Sequence, residues 1–438
     1  MVDPLDRDVT ILGTDAYYPT AKDLLSPRVG FSWDVFGNGK TSFRAGSGIF
    51  YDQLLPWYYG TVAGIRTPPF FDRGQIVNPP SSTFPNAFAL LDPNRSLRQI
   101  EDVTPSNTPA TVQYNATIQH EVLQNLMLMI GYIGSRGTHI ISSADLNTRI
   151  PTIQAGTKFF AGTEPARNPF ISEHGSSLTS GASRYSGLLL SLNKRFSKGI
   201  QFQGNYTWSR ATDNASQQFA PEAQNVNRRM MDTDDINRDK SLSAYDVRHN
   251  FLGNVSWDLP FGPGKALAGN LSGVPGALLG GWQVNGIVAL ATGNPLNVEM
   301  GFNRARNILT LGIGFQERPD LAPGKSNNPV LGNPDQWMDP RAFQLQPIGT
   351  FGNLGRNTVI GPGLNVVDFS LFKNTTLGGE RNLQFRAEFF NIFNHANFGT
   401  PSRVIFNNAT GVPLPTFGRI RNTARTSRQI QFALKYIF

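Results

Sequence analysis

The densest run of oxygen ligands in the chain is Asp232-Thr233-Asp234-Asp235-Ile236-Asn237-Arg238-Asp239. Alternate side-chain oxygens on a loop are the donors that calcium takes. The run lacks the glycine at its sixth position and the glutamate at its twelfth that an EF-hand loop uses, and Arg228, Arg229, Arg238 and Lys240 stand in or beside it. An ion-paired, solvated loop is therefore the expectation, and no metal site is assigned. The five histidines (120, 139, 174, 249, 395) show no His-Glu-x-x-His or other close ligand spacing. There is no cysteine, which removes thiol catalysis, disulfides and Cys-ligated metals. No Gly-x-Ser-x-Gly elbow occurs, and Gly262-Pro263-Gly264-Lys265-Ala266 has neither the spacing nor the Ser/Thr of a phosphate loop, so it reads as a turn. The chain is thus read as a non-enzyme with no catalytic, cofactor-binding or metal-binding residues and no cofactor.

The formal charge of +8 could suggest a nucleic-acid partner. Its distribution argues otherwise. Arg403, Arg419, Arg421, Arg425, Arg428 and Lys435 all fall after His395 in a stretch without Asp or Glu, while the remainder is nearly balanced. No nucleic-acid motif accompanies the charge, so no nucleic-acid partner is expected. Charged residues make up only 16% of the 438, and with 44 glycines and 30 prolines the chain is not a helix-rich one. No apolar run reaches the length of a membrane-spanning helix, and Met1 to Asp8 has no signal-peptide character.

What must position any functional side chain is a set of period-two strands. In Thr111 to Val122, residues Val112, Tyr114, Ala116, Ile118 and Val122 share one face, with His120 the exception, and every residue of the other face is polar. Ile200 to Arg210 repeats the pattern. Further strands are read at Arg28–Phe36, Thr41–Tyr51, Leu126–Ser135, Tyr185–Phe196, Val247–Leu259, Gly280–Ala291, Leu364–Thr375, Arg381–Phe393 and Ser427–Phe438, eleven in all. Tight turns at 37–40, 123–125, 197–199 and 378–380 alternate with long Pro/Gly/Asn/Asp connections at about 52–110, 136–184, 211–246, 292–363 and 394–426. One intermediate link runs from Pro260 to Leu279.

Strands of about 10 residues, apolar on one side and polar on the other, joined alternately by short turns and long loops, describe an all-β, antiparallel transmembrane barrel of the outer-membrane type. Lipid offers no hydrogen-bond partners, so every strand must pair and the lipid face must be apolar. Trp33, Tyr51, Trp208, Trp257, Trp282 and Tyr436 near strand ends suit the interfacial aromatic girdles. A soluble β-sandwich or lectin is the alternative fold. The last segment places Ile430, Phe432, Leu434, Tyr436 and Phe438 at every second position, an ending that resembles the signal read by the barrel-assembly machinery, with Phe432, Tyr436 and Phe438 its aromatic members.

Five stretches carry a resemblance that extends over essentially the whole chain. They are residues 25–40 with 48–52, residues 131–139, Tyr206-Thr207-Trp208-Ser209-Arg210 with Tyr245-Asp246-Val247-Arg248-His249, residues 280–286, and Phe385-Arg386-Ala387-Glu388-Phe389-Phe390-Asn391-Ile392-Phe393-Asn394-His395. Together they resemble the C-terminal barrel half of an Oar-like TonB-dependent outer-membrane receptor of the carboxypeptidase-regulatory-like type. The resemblance implies a barrel of about 22 strands, preceded by a carbohydrate-binding-like domain, a plug and a TonB box that have no counterpart here. TonB would then be met only through that N-terminal region. It also implies uptake of a ligand, with carbohydrate or peptide as the expected classes. Strand parity agrees: with the tight turns periplasmic, the first and last strands run the same way, so an odd number of strands, about eleven, is expected to be missing from an even-stranded barrel. The whole chain, 1–438, is accordingly read as a partial barrel. A surface binding or adhesion protein on the same scaffold is the alternative function. Gln113, Asn115, Gln201, Asn205, Gln384, Arg386 and Glu388 are the expected lumen lining, with Arg386 and Glu388 able to pair across strands or hold a plug. The remaining expected partners are outer-membrane lipid and lipopolysaccharide, the latter met by the basic final loop.

Overall fold

The computed structural model describes residues 24–52, 74–75, 97–104, 107–169, 171–216, 229–309, 317–379 and 381–438. Period-two alternation is realised as eleven long strands: β1 (Arg28–Asp34), β2 (Thr41–Tyr51), β3 (Ala110–Leu123), β4 (Leu126–Asp145), β5 (Ile171–Ser197), β6 (Ile200–Asp213), β7 (His249–Asp258), β8 (Trp282–Ala291), β9 (Leu364–Gly378), β10 (Arg381–Phe390) and β11 (Gln429–Ile437). Each pairs antiparallel with the next, so the order in the sheet is the order in the chain, and three short segments (74–75, 97–104 and 241–242) attach at its margin. The sheet is open. β1 and β11 are its two edges.

Residues with left-handed backbone close the tight turns, as the sequence expects. Gly37 and Gly39 do so between β1 and β2, Asn125 between β3 and β4, and Lys198 with Gly199 between β5 and β6. The link between β7 and β8 contains a short helix, α1 (Gly273–Leu279), and returns through Gly281 at φ 75°. A Cβ at Gly281 would lie 2.1 Å from the Asn374 carbonyl oxygen, so only glycine fits there.

Several limits differ from the sequence reading. β10 stops at Phe390 instead of Phe393, because Asn391 turns left-handed (φ 50°) and knots the turn: its N–H donates to Asp368 and its side chain bonds the His395 backbone at both N–H and C=O. The connection expected at 136–184 shrinks to 146–170. β4 and β5 continue past the other strands, with β5 buried from Ile171 to Ser177, because segment 97–104 pairs parallel with its beginning and gives the extension a second neighbour.

Register settles the two faces. Ile130, Leu190, Tyr206, Phe251 and Leu290 stand side by side on five successive strands and form one apolar row. Gln201, Ser256, Asn285, Ser370, Glu388 and Gln431 form a row of directly opposed polar residues across six strands on the other face. The six girdle aromatics all lie on the apolar face by the same registers, Trp33, Trp257, Trp282 and Tyr436 at the tight-turn end and Tyr51 and Trp208 toward the loops. His120, the polar exception on that face, bonds Thr41 Oγ1 through Nδ1 at 2.8 Å. Lys373 shares the face but carries its ammonium to the Ala277 and Gly280 carbonyls (2.6 and 2.5 Å), beside the Trp282 ring. A long cation at the end of an apolar wall reaches its polar boundary in this way.

The faces give a direct test. Ile130→Arg, on the apolar side, is expected to cost about 2–4 kcal/mol of stability in lipid vesicles, while its neighbour Met129→Arg, on the polar side, costs less than about 1 kcal/mol. Equal losses in urea titrations of the two variants would contradict the assignment.

Candidate ligand wall and outer cap

The seven residues expected to line a lumen all share the polar face, but they do not form one cluster. Gln113 and Asn115 stand on β3 opposite Gly48 and Gly46 of β2, where the absent side chains leave the amides room. Gln201 and Asn205 lie on β6, opposite Ser256 and Leu252. Gln384, Arg386 and Glu388 are successive polar-face positions of β10. Gln384 Nε2 donates to Asn374 Oδ1 (2.8 Å), Arg386 Nε donates to Gln384 Oε1 (2.6 Å), and the Arg386 guanidinium lies 4.9 Å from the Phe372 ring centre. Across to the neighbouring strand Arg386 thus makes a ring contact, since a guanidinium one strand away from Phe372 stacks without leaving the wall. The wall also carries Leu252 and Ile287, each about half exposed (48% and 49%), so it is a mixed surface dominated by amides and hydroxyls.

Above the strands, the long connections fold into a cap with its own core. Leu296, Val298, Met300, Met338, Phe343 and Leu354 pack with Ile405, Phe406 and Phe417. The first six come from the connection before β9 and the last three from the one before β11. A parallel pairing of 299–300 with 404–406 and the Arg403–Glu299 ion pair (2.8 Å) join the two. The sequence reads these stretches as open loops, because their apolar residues recur with no period and meet only across long sequence separations.

Two arginines, each 1% exposed, tie the connections of this cap together, and one of them, Arg356, also ties it to a strand. Arg356 gives Nη2 to the carboxylate and carbonyl of Asp213, the last residue of β6, Nη1 to Ser216 (2.7 Å), and Nε to the Asp239 carbonyl (2.7 Å). Arg318 gives Nη1 to the Asp239 carboxylate (2.6 Å) and Nε to the Leu354 carbonyl (2.9 Å). The acidic run 232–239 is therefore ion-paired, but with partners other than its chain neighbours. Asp232 meets Lys158 (2.7 Å), Asp234 meets Lys158 and Arg167, and Asp239 meets Arg318, while Arg229 pairs with Glu173. Burial pushes the Asp234 carboxyl up, but Arg167 and Lys158 outweigh it and hold it below the usual aspartate range. Among the described residues no group of three or more His, Cys, Asp or Glu is placed to hold a metal ion.

Glu317, 1% exposed in the cap, accepts from the Arg304 and Ala305 N–H groups (2.9 and 2.8 Å) and from the Gln346 amide. Burial outweighs these donors and pushes its carboxyl up to about 8.

A family described as "Outer membrane beta barrel domain" matches residues 8–431. Among solved structures, the outer membrane transporter YddB from Escherichia coli is similar at 12% identity and a TM-score of 0.43, with 93% of this chain and 40% of that one covered. The ferric enterobactin receptor PfeA from Pseudomonas aeruginosa, in complex with enterobactin, is similar at 10% identity and a TM-score of 0.42, covering 93% and 40%. The pyoverdine receptor FpvA from Pseudomonas aeruginosa PAO1 gives 11% and 0.40, covering 94% and 36%. The chain spans about two fifths of the length of these structures. No curated protein matches.

Arg356→Ala leaves Asp213 buried and unpaired, which is expected to cost about 3–5 kcal/mol locally and to expose the cap to protease while the strands stay protected. Arg356→Lys should rescue little, because one ammonium cannot replace the planar fork. A second expectation concerns pH. Glu317 binds its proton more tightly folded than unfolded, so its contribution is fully present below the unfolded value of 4.5 and is lost as pH rises through about 8. Protease clipping of the cap should therefore accelerate between about pH 6 and pH 8, where the paired carboxylates stay ionised, and Glu317→Gln should flatten that rise.

Proposed function

The chain belongs to the outer membrane beta barrel domain family, and on that premise we propose that it forms part of the barrel wall and the outer loops of an Oar-like TonB-dependent receptor. The observation that carries the reading is a two-faced antiparallel sheet, polar on one side, beneath long connections packed into a cap. In the outer membrane the apolar face meets lipid and the polar face a lumen. Gln113, Asn115, Gln201, Asn205, Gln384, Arg386 and Glu388 then line the path of a ligand. A wall rich in amides and hydroxyls suits a polar, hydrogen-bonding ligand such as a carbohydrate or peptide.

The open sheet supports a barrel completed by further strands. Ten antiparallel ladders separate β1 from β11, so the two edges run in the same direction. Joining them directly, or to a second copy turned about the barrel axis, would make a parallel seam in an otherwise antiparallel barrel. An odd number of additional strands meets both edges antiparallel, and about 22 strands in total would leave a lumen wide enough for a plug. The cap, on the loop side, then faces outward. Exposed Arg425 and Arg428 immediately precede β11, and exposed Arg419 and Arg421 lie further back in the same connection, a stretch suited to anionic lipopolysaccharide. On β11, Phe432 stacks on Phe385 and Tyr436 on Phe438, leaving an exposed aromatic edge for the barrel-assembly machinery.

Cells producing the protein are expected to accumulate its ligand only with an energised TonB system. Surface binding without energised accumulation would favour an adhesion protein instead. Residues 1–438 alone are expected to give no ion conductance in planar bilayers; a heat-modifiable, conducting monomer would overturn the partial-barrel reading.

A further inference from the structure

Among the described residues, the apolar face has a deep interruption. Gly204 on β6 stands directly opposite Gly253 on β7, and Gly286 on β8 stands opposite Val255, the next outward residue of β7. Three adjoining strands thus lack side chains at neighbouring outward positions. Around this floor rise Leu192, Phe202, Tyr206, Phe251 and Val288, and the space they enclose is about 480 Å³.

The backbone does not demand glycine at two of these positions. None of the three has a left-handed backbone. A Cβ at Gly204 would meet nothing nearer than the Phe251 ring at 3.7 Å, and one at Gly286 nothing nearer than Val255 Cγ1 at 3.4 Å. What the glycines supply is the empty volume. On the loop side of the groove Tyr206 Oη and His249 Nδ1 are 2.7 Å apart with their rings stacked, and at the opposite end Lys194, paired with Phe202 in the ladder, carries its ammonium to Ser197 Oγ (2.6 Å).

We propose that this groove is a lipid site that holds one acyl chain of an outer-leaflet lipid, with the head group at the Tyr206–His249 pair. The proposal rests on the family's membrane setting and on the apolar face, and does not depend on the transport reading. The groove is lined by apolar side chains and glycines of the lipid-facing wall, as an acyl chain requires, and the hydroxyl–imidazole pair stands on its loop side, where an outer-leaflet head group lies. A second copy is a poorer occupant. A two-fold interface would place this concavity against itself and leave a void. A rigid strand floor loses little freedom when a chain settles on it, so the bound lipid exchanges more slowly than its neighbours.

The test uses the protein extracted from outer membranes, together with whatever strands complete it, and reconstituted in phosphatidylglycerol vesicles carrying a trace of phosphatidylglycerol with a mid-chain nitroxide. The spectrum is expected to show a slowly exchanging lipid component. In the double variant Gly204→Leu with Gly286→Leu that component is lost, or its exchange is at least ~10-fold faster. Gly286→Ala, which fits without displacing Val255, gives a smaller change in the same direction and guards against misfolding. Tyr206→Phe keeps the tail but quickens exchange, and Ala45→Leu, on the same face of β2, changes nothing. An unaltered slow component in both glycine variants would overturn the proposal, as would cross-linking that shows the groove filled by a second copy. Ligand accumulation measured in parallel reports separately on the transport reading.

Discussion

A peptide group in hydrocarbon has no water to turn to, and an unpaired N–H or C=O there costs several kcal/mol. Almost every feature of the sheet follows from that constraint. The strands pair in chain order because a neighbour joined by a tight turn is the nearest source of a complete ladder. Each is two-faced because pairing uses the in-plane groups and leaves side chains to meet lipid on one side and water on the other. The same constraint makes the edges β1 and β11 the least tolerable parts of the structure, since each presents unpaired backbone groups along its length.

Beyond the membrane the constraint lifts, and a different interaction organises the chain. Water can satisfy loops there, yet these loops are packed, with Arg318 and Arg356 buried almost completely. A buried guanidinium is tolerable only when its donors are all met by charged or carbonyl oxygens. Asp213, Asp239 and the carbonyls around them provide that shell. The apolar core of the cap excludes water from the ion pairs, and the ion pairs fix the connection that carries most of the core.

The strands were legible because their signal is local: alternation within Thr111 to Val122 or Ile200 to Arg210 states both the element and its faces. Placement of Gln201 and Glu388 on the polar face follows from the same count. Extension of β4 and β5 beyond the membrane was not legible, since Ile171 to Ser177 has no clean alternation once both faces are covered. The cap was hidden for another reason. Arg356 and Asp213 are 143 residues apart, and nothing near either one names the other. The acidic run shows the limit most plainly: its composition implied ion pairing, but the partners Lys158, Arg167 and Arg318 lie on other connections.

The attachment point of the cap bears on how a path through the barrel could open. Asp213 is not in a loop; it is the final residue of β6, held in register with Ser183 of β5 and Ser241 beyond it. Swinging the cap aside would therefore break a fully buried ion pair, at a cost of about 3–5 kcal/mol, or else drag the end of a strand whose other face is embedded in lipid. Neither is a small motion. The cap behaves mechanically as an extension of the wall, a fixed rim that shapes what can reach the polar face.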